Sequence, residues 1–203
     1  MRRRILQVTA GVALGLILAL VWALREGPGA GPEPVDEALL PAPFPAPPLD
    51  LVDPSGVRVR LADLRGSVVA IFFGYTHCPD VCPLTLATLG RLQEQDRDPP
   101  LEVVFVSVDP ERDTPDRLRT FTTGLPGRIR GWTADGDEVR RQADGFGVRV
   151  HRREDAGPDY LVDHTARTFI VDPEGAVVAT LPPMVSPERA RAVVDAVYRR
   201  HVP

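Results

Sequence analysis

Two continuous apolar runs constrain the fold of this chain more than any other feature. SVVAIFFGY at 67–75 and LEVVFVSV at 101–108 lack the polar alternation of a half-exposed strand. A strand that is apolar on both faces has to be buried on both faces, so each run predicts a strand in the middle of a sheet. A helix is predicted between them, over 83–95. Its apolar set consists of Leu84, Leu86, Leu89 and Leu92.

The segments around these runs continue the alternation of strands and helices. Turn residues, capping residues and apolar periodicity predict a hairpin over 51–61, a helix from the N-cap Thr114 to about Gly124, a short helix over 137–143, a hairpin over 166–180 and a last helix that begins at Ser186-Pro187. Such an order places helices on both faces of a sheet. We therefore predict an α/β fold of thioredoxin-like type, with a central mixed sheet flanked by helices.

The N-terminal part of the chain predicts a membrane anchor followed by a spacer. Three arginines at positions 2–4 precede an apolar run over 5–24, and a helix of this length spans about 30 Å, the thickness of a bilayer's hydrocarbon core. We predict an uncleaved anchor at 1–26 with its N-terminus inside, and a cleaved signal peptide is the alternative. Eight prolines in 27–48 predict an extended linker, so the folded domain is expected over 49–203.

The charge balance argues against nucleic acid as a partner. All 24 positively charged residues are arginines, the acidic residues number 28, and the formal net charge is −4. Three of the arginines flank the predicted anchor, so the remainder of the chain is more acidic still. A nucleic-acid-binding protein would instead carry a basic surface.

Cys78 and Cys82, in GYTHCPDVCP, are the only two cysteines of the chain. They lie where the strand 67–75 ends and the next helix begins, the edge at which α/β proteins place their sites. N–H groups at the start of a helix stabilise thiolates, so we expect both thiols to be more acidic than a free cysteine. Pro79 and Asp80 between them belong in an exposed turn. This favours a disulfide switch or a metal site over two ordinary buried cysteines.

A metal site needs a third ligand, and the chain has four histidines. His201 is in the C-terminal tail and His151 lies among arginines, so both are expected to be solvated. His77 is next to Cys78, and neighbouring side chains usually diverge. His164 directly precedes an apolar strand; taken alone, it is better explained as a structural hydrogen-bonding residue. The residues by themselves therefore leave the disulfide switch and the metal site open.

Three segments together give the chain a resemblance to a known family. FFGYTHCPDVCPLTL, VSVDPERDTPDRL and YLVDHTARTFIVDPEG resemble, in that order, the Sco/SenC family of copper chaperones over about 50–200. The resemblance implies a thioredoxin-like fold and a copper site whose ligands are Cys78, Cys82 and His164. Two soft thiolates and one imidazole suit Cu(I), and Cu(II) would add water or a carboxylate such as Asp80. Structural zinc takes four protein ligands, and no fourth is evident.

The resemblance implies a membrane-anchored metallochaperone rather than an enzyme. Such a protein receives copper from a donor protein and delivers it to the dinuclear copper centre of cytochrome c oxidase subunit II, or to another copper acceptor. The expected location is a bacterial cytoplasmic membrane, with the N-terminus inside and the domain on the periplasmic or extracellular side. The alternative is a thiol–disulfide oxidoreductase in which Cys78 and Cys82 reduce the acceptor's cysteines; only the carrier needs a ligand-type His164.

Two aspartates near these motifs have roles that the sequence leaves open. Asp163 either orients the histidine and its loop or is a solvated loop residue. Asp109, together with PERDTP at 110–115, either forms a partner or loop-ordering surface or is only the start of a helix.

Overall fold

The computed structural model describes residues 35–95, 97–153, 157 and 160–201. The predicted anchor at 1–26 and the first part of the predicted linker, 27–34, lie outside the described residues. Within the part of the chain that is described, no helix is both long enough and apolar enough to cross a membrane.

A six-stranded mixed sheet forms the centre of the fold. The strands in chain order are β1 (Leu39–Pro45), β2 (Asp50–Val52), β3 (Arg58–Arg60), β4 (Val68–Gly74), β5 (Leu101–Ser107), β6 (Ile129–Trp132), β7 (Val150–Arg152), β8 (Val162–His164), β9 (Thr168–Val171) and β10 (Ala176–Leu181). The central sheet has the order β1-β10-β9-β4-β5-β6, and β2–β3 and β7–β8 form separate hairpins. β4, β5 and β6 are parallel, whereas β9 and β10 pair antiparallel with their neighbours.

The helices of the described chain are α1 (Val35–Ala38), α2 (Val81–Gln93), α3 (Pro115–Thr123), α4 (Gly136–Gly145) and α5 (Pro187–His201), with a 3-10 turn at Leu61–Leu64. The predicted start of α3 is confirmed, because the Thr114 hydroxyl accepts a hydrogen bond from the Arg117 N–H at 3.3 Å. All seven residues of β4 are buried, so both faces of the sheet are covered at its centre. This is the predicted α/β fold of thioredoxin-like type.

The folded unit begins earlier than the predicted boundary at Leu49. β1 lies inside the segment that we predicted to be linker, yet Leu39 pairs with Ala179 and Phe44 pairs with Val177 of β10. Leu39 is also part of the hydrophobic core. Proline is compatible with a strand at the edge of a sheet, where only one side needs N–H donors. The proline content therefore indicated an extended chain but did not exclude pairing.

The buried face of α2 also differs from the prediction at one position. Cys82, Leu86 and Leu89 are buried, whereas the side chain of Leu84 is 53% exposed. Residues two apart on a helix point about 200° apart. Leu84 therefore cannot share the face on which Cys82 and Leu86 both lie.

Three short strands have no clear signal in the sequence: β6, β7 and β8. β7 and β8 pair Val150 with His164, His151 with Asp163 and Arg152 with Val162. The second strand of this hairpin ends at His164, so the hairpin carries the predicted histidine ligand.

Candidate metal centre

The two cysteines lie at the carboxyl end of β4, as predicted. Cys78 is in the loop that leaves β4, and Cys82 is in the first turn of α2. The N–H of Cys78 donates to the carbonyl oxygen of Tyr75 at 3.3 Å, which closes a turn before the helix. Cys82 is 0% exposed and Cys78 is partly exposed. Cys78 is therefore the more accessible of the two thiols.

The two thiols have very different proton affinities. Hydrogen bonds from the Cys82 side chain and from backbone N–H groups at the start of α2 lower the pKa of Cys78 to about 5. One of these is the Cys82 N–H, which lies 3.5 Å from Cys78 Sγ. The same hydrogen bond to Cys78, together with burial, raises the pKa of Cys82. Our expectation of two acidic thiols is thus wrong for Cys82. The Cys78 thiolate accepts a hydrogen bond from the Cys82 thiol, and this bond keeps the proton on Cys82.

His164 reaches this thiol pair from a segment 82 residues away in sequence. Its Nε2 atom lies 4.0 Å from Cys82 Sγ. The ring makes edge contacts with Phe72 and Tyr75, with ring centroids 6.3 and 6.0 Å apart. Burial lowers the pKa of His164, so the ring at neutral pH is the uncharged imidazole that serves as a metal ligand.

Gly74 makes room for the Cys82 sulfur, a role that the sequence did not indicate. A Cβ atom at position 74 would lie 2.8 Å from Cys82 Sγ, 3.0 Å from Phe105 Cε2 and 3.1 Å from Phe72 Cε1. All three neighbours are completely buried. The absence of a side chain at the last residue of β4 is therefore what allows the thiol to pack against the strand.

The other histidines do not join the thiol pair. His151 is exposed, and His201 Nδ1 lies 3.7 Å from the carboxylate of Asp172. His77 turns toward Asp113, with 3.4 Å between Nδ1 and Oδ1.

His77, Asp109 and Asp113 form an acidic cluster whose ligand atoms lie within 4.8 Å of one another. The carboxylates already accept short hydrogen bonds: Tyr160 and Arg112 donate to Asp109, and other groups donate to Asp113. The oxygens that a cation would need are thus occupied by donors within the protein. We interpret the cluster as a hydrogen-bond network rather than as a second metal site.

The two remaining acidic candidates are exposed. Asp163 accepts a hydrogen bond from Arg153 Nε at 2.7 Å and is ion-paired with that residue on the surface. Asp80 lies at the surface as the N-cap residue of α2, and its side chain makes no capping hydrogen bond.

Comparison with known proteins identifies a family whose members resemble the folded part of the chain. The sequence model of the SCO1/SenC family matches residues 41–199. A mitochondrial SCO1 homologue from Arabidopsis thaliana is 32% identical over 155 residues, which are 75% of this chain and 43% of that protein. The chain thus spans less than half the length of this relative.

Solved structures of similar proteins have the same fold. The solution structures of apo Sco1 from Thermus thermophilus match with a TM-score of 0.68 at 39% identity, over 77% of this chain and 92% of that one. The crystal structure of Arabidopsis thaliana ScoI with copper bound matches with a TM-score of 0.70 at 28% identity, over 77% of this chain and 99% of that one. Together with the family match over most of the chain, these likenesses show that the chain belongs to the SCO1/SenC family.

Proposed function

We propose that this protein is a copper carrier that holds copper on Cys78, Cys82 and His164 and passes it to an acceptor protein. The observation that carries the proposal is the 4.0 Å approach of His164 Nε2 to Cys82 Sγ, across 82 residues of sequence. The match to a copper-bound structure of the family supports copper as the metal.

The donor atoms suit copper in both geometry and chemistry. Bonds as long as those of zinc, about 2.3 Å to sulfur and about 2.0 Å to nitrogen, allow one ion to join two donor atoms that lie up to about 4.3 Å apart. The sulfur of Cys82 and the nitrogen of His164 are within that limit, so one ion fits between them. A thiolate at Cys78 and a neutral imidazole at His164 are the protonation states that metal binding requires.

The donor set also accounts for the expected oxidation states. Two sulfurs and one imidazole form a soft, three-coordinate set that favours Cu(I). Cu(II) prefers nitrogen and oxygen donors more strongly, so it depends more on His164 and on an added water or carboxylate. Asp80 is exposed two residues after Cys78 and is the nearest carboxylate in sequence to the thiol pair.

The N-terminal segment and the family together define the proposed setting. The apolar run at 5–24 anchors the chain in a bacterial cytoplasmic membrane, and the domain lies on the periplasmic or extracellular side. The acceptor is cytochrome c oxidase subunit II at its dinuclear copper centre, and a separate donor protein supplies the copper. Because Cys78 is the accessible thiol, an incoming ligand of the acceptor binds the copper from that side of the site and displaces Cys78 from it.

A thiol–disulfide oxidoreductase is the second candidate, and the low pKa of Cys78 favours it. The Cys78 thiolate would attack a disulfide of the acceptor and release one acceptor thiolate. Cys82 would then lose its proton, attack the sulfur of Cys78 and release the second acceptor thiol. This cycle needs no histidine ligand, so His164 separates the two candidates.

The test replaces His164 by alanine in the full chain, purified reduced and without oxygen. We expect His164→Ala to keep Cu(I) on the two sulfurs, to lose Cu(II) and to lose copper loading of the oxidase, while thiol–disulfide cycling continues. Cys78→Ser should lose copper binding and cycling together, and His151→Ala is the matched control at an exposed histidine. If His164→Ala loads the oxidase with copper normally and Cys78→Ser does not, the carrier proposal is wrong and the oxidoreductase is favoured.

A further inference from the structure

The turn between β5 and α3 contacts both halves of the candidate site. We call residues Asp109–Asp113 the 109–113 turn. It is closed by its own backbone, because the N–H groups of Arg112 and Asp113 donate to the carbonyl oxygen of Asp109 at 3.2 and 2.9 Å. Asp109 and Asp113 are buried, so their side chains face the protein rather than solvent.

One end of the 109–113 turn holds the loop that carries Cys78. The side chain of Asp113, which is 1% exposed, accepts the N–H of Thr76 at 2.9 Å and the hydroxyl of Thr76 at 2.6 Å. It also accepts the hydroxyl of Ser107 at 2.6 Å, at the end of β5. Thr76 precedes Cys78 by two residues, so this carboxylate fixes the path of the chain into the thiol pair.

The other end of the turn holds the hairpin that carries His164. The hydroxyl of Tyr160, a residue only 4% exposed, donates to Asp109 Oδ1 at 2.6 Å. The guanidinium carbons of Arg112 and Arg152 lie 3.5 and 3.8 Å from the Tyr160 ring centroid. Two groups this close to one ring must occupy opposite faces, so the ring is enclosed between them. Arg152 also pairs with Glu111 of the turn at 2.6 Å.

The β7–β8 hairpin depends on such contacts for its position. It is a two-stranded sheet with three residues in each strand, and isolated hairpins of that kind are marginal. After His164 the chain reaches β9 within four residues, which fixes one side of the histidine. Edge contacts with Phe72 and Tyr75 hold the imidazole itself, and the hydrogen bond of Tyr160 holds the chain before it.

We propose that the 109–113 turn is a clamp that sets the distance between the thiol pair and His164, and that Tyr160 is the positioning residue on the histidine side. The inference deepens the proposed copper-carrier function and rests on it for its consequence in metal binding. Tyr160 touches no donor atom of the site. It acts through the hairpin, by tying the chain four residues before His164 to a turn that also ties the chain two residues before Cys78.

The clamp predicts which copper state is sensitive to it. Cu(I) is held chiefly by the two sulfurs, which lie on one loop and its helix. Cu(II) depends on the imidazole, whose position the clamp sets. Loosening Tyr160 should therefore weaken Cu(II) retention and leave Cu(I) occupancy unchanged.

The experiment compares two matched variants of the full chain, Tyr160→Phe and Tyr198→Phe. Tyr198 also donates its hydroxyl to a protein acceptor, the carbonyl oxygen of Pro99 at 2.8 Å, and also lies against a guanidinium, that of Arg97. Tyr198 is distant in sequence from the three proposed ligands, and neither of these contacts involves the site. Each substitution removes one hydroxyl and keeps the ring.

Two readouts are measured for both variants, with the melting temperature as a check on folding. In the metal-free protein, amide hydrogen exchange over 162–164 should be about tenfold faster in Tyr160→Phe than in Tyr198→Phe, since a hydrogen bond to a charged group is lost next to the hairpin. With copper bound, Cu(II) dissociation into a chelator should be about tenfold faster in Tyr160→Phe at unchanged Cu(I) stoichiometry.

Equal exchange rates in the two variants, or equal Cu(II) dissociation rates, would overturn the clamp. If the unaltered protein binds no copper, the proposed function fails, and the exchange measurement in the metal-free protein still decides whether the clamp exists.

Discussion

Replacing Gly74 by alanine tests whether the thiol pair depends on the close packing at the end of β4. The new Cβ would lie 2.8 Å from Cys82 Sγ, 3.0 Å from Phe105 Cε2 and 3.1 Å from Phe72 Cε1. Ordinary contacts between such atoms are about 3.5–4.0 Å long, so each neighbour has to move by several tenths of an ångström. All three are fully buried, and none has solvent to move into.

The expected destabilisation follows from these contacts. Overpacking a well-packed core by one methyl group costs about 1–3 kcal/mol, and alanine recovers about 0.5–1 kcal/mol through its lower chain entropy in a strand. The net cost is about 1–2 kcal/mol, which for a domain of this size lowers the melting temperature by roughly 2–8 °C. The sulfur is the nearest of the three atoms, so copper occupancy should fall as well.

The assay is thermal unfolding by circular dichroism together with copper stoichiometry, for Gly74→Ala and for Gly136→Ala. Gly136 opens α4, and its nearest neighbour is the flexible guanidinium of Arg140 at 3.3 Å, so this control should melt at the temperature of the unaltered protein or slightly above it, because alanine lowers the chain entropy of the unfolded state. The double variant Gly74→Ala/Cys82→Ala removes the closest contact and should recover part of the loss in a double-mutant cycle. The packing argument would be refuted if Gly74→Ala had the same melting temperature as Gly136→Ala and bound copper at full stoichiometry.

Two further predictions concern the face of α2 and the acidity of Cys78. Leu86→Ala should lower the free energy of unfolding by about 2–5 kcal/mol because Leu86 is fully buried, whereas Leu84→Ala should change it by less than about 0.5 kcal/mol. Equal losses of unfolding free energy, measured by chemical denaturation, would contradict the exposure of Leu84. Alkylation of Cys78 by iodoacetamide should fall to half its maximum near pH 5, and a midpoint at the ordinary thiol pKa would contradict the hydrogen-bonded thiolate. Because the folded-state pKa of Cys78 is lowered, its contribution to stability is fully present above the unfolded thiol's pKa and is lost as the pH falls toward about 5, a dependence that Cys78→Ser should remove.

The parts of the fold with a strong local signal could be predicted from the sequence. The uninterrupted apolar runs predict β4 and β5, and Thr114 with Pro115 predicts the start of α3. Both signals come from residues that are adjacent in sequence. β6 carries Arg130 on a strand of four residues, so its apolar signal is short and interrupted. The prolines of β1 indicate a spacer, because its pairing with β10 joins segments more than 130 residues apart and leaves no local pattern.

The candidate site also has some features that the local sequence predicts and others that it does not. The location of Cys78 and Cys82 at a strand-to-helix junction follows from local pattern. The approach of His164 to them could be expected only from the family resemblance, since no periodicity relates positions 82 residues apart. The contributions of Gly74 and Tyr160 had no signal at all: one consists of a missing side chain, and the other depends on a hairpin that the sequence does not indicate.

The proline-rich strand β1 forms one edge of the central sheet. Ala46 donates its N–H to the carbonyl oxygen of Gly175, so the backbone nitrogen of the preceding residue, Pro45, points to the outer edge of β1. Proline has no N–H, and the outer edge of β1 therefore lacks a donor at that position. A missing donor weakens the pairing of this edge with a strand from another chain. The segment that resembles a spacer in sequence thus ends the sheet on this side and makes edge-to-edge pairing with another chain less favourable.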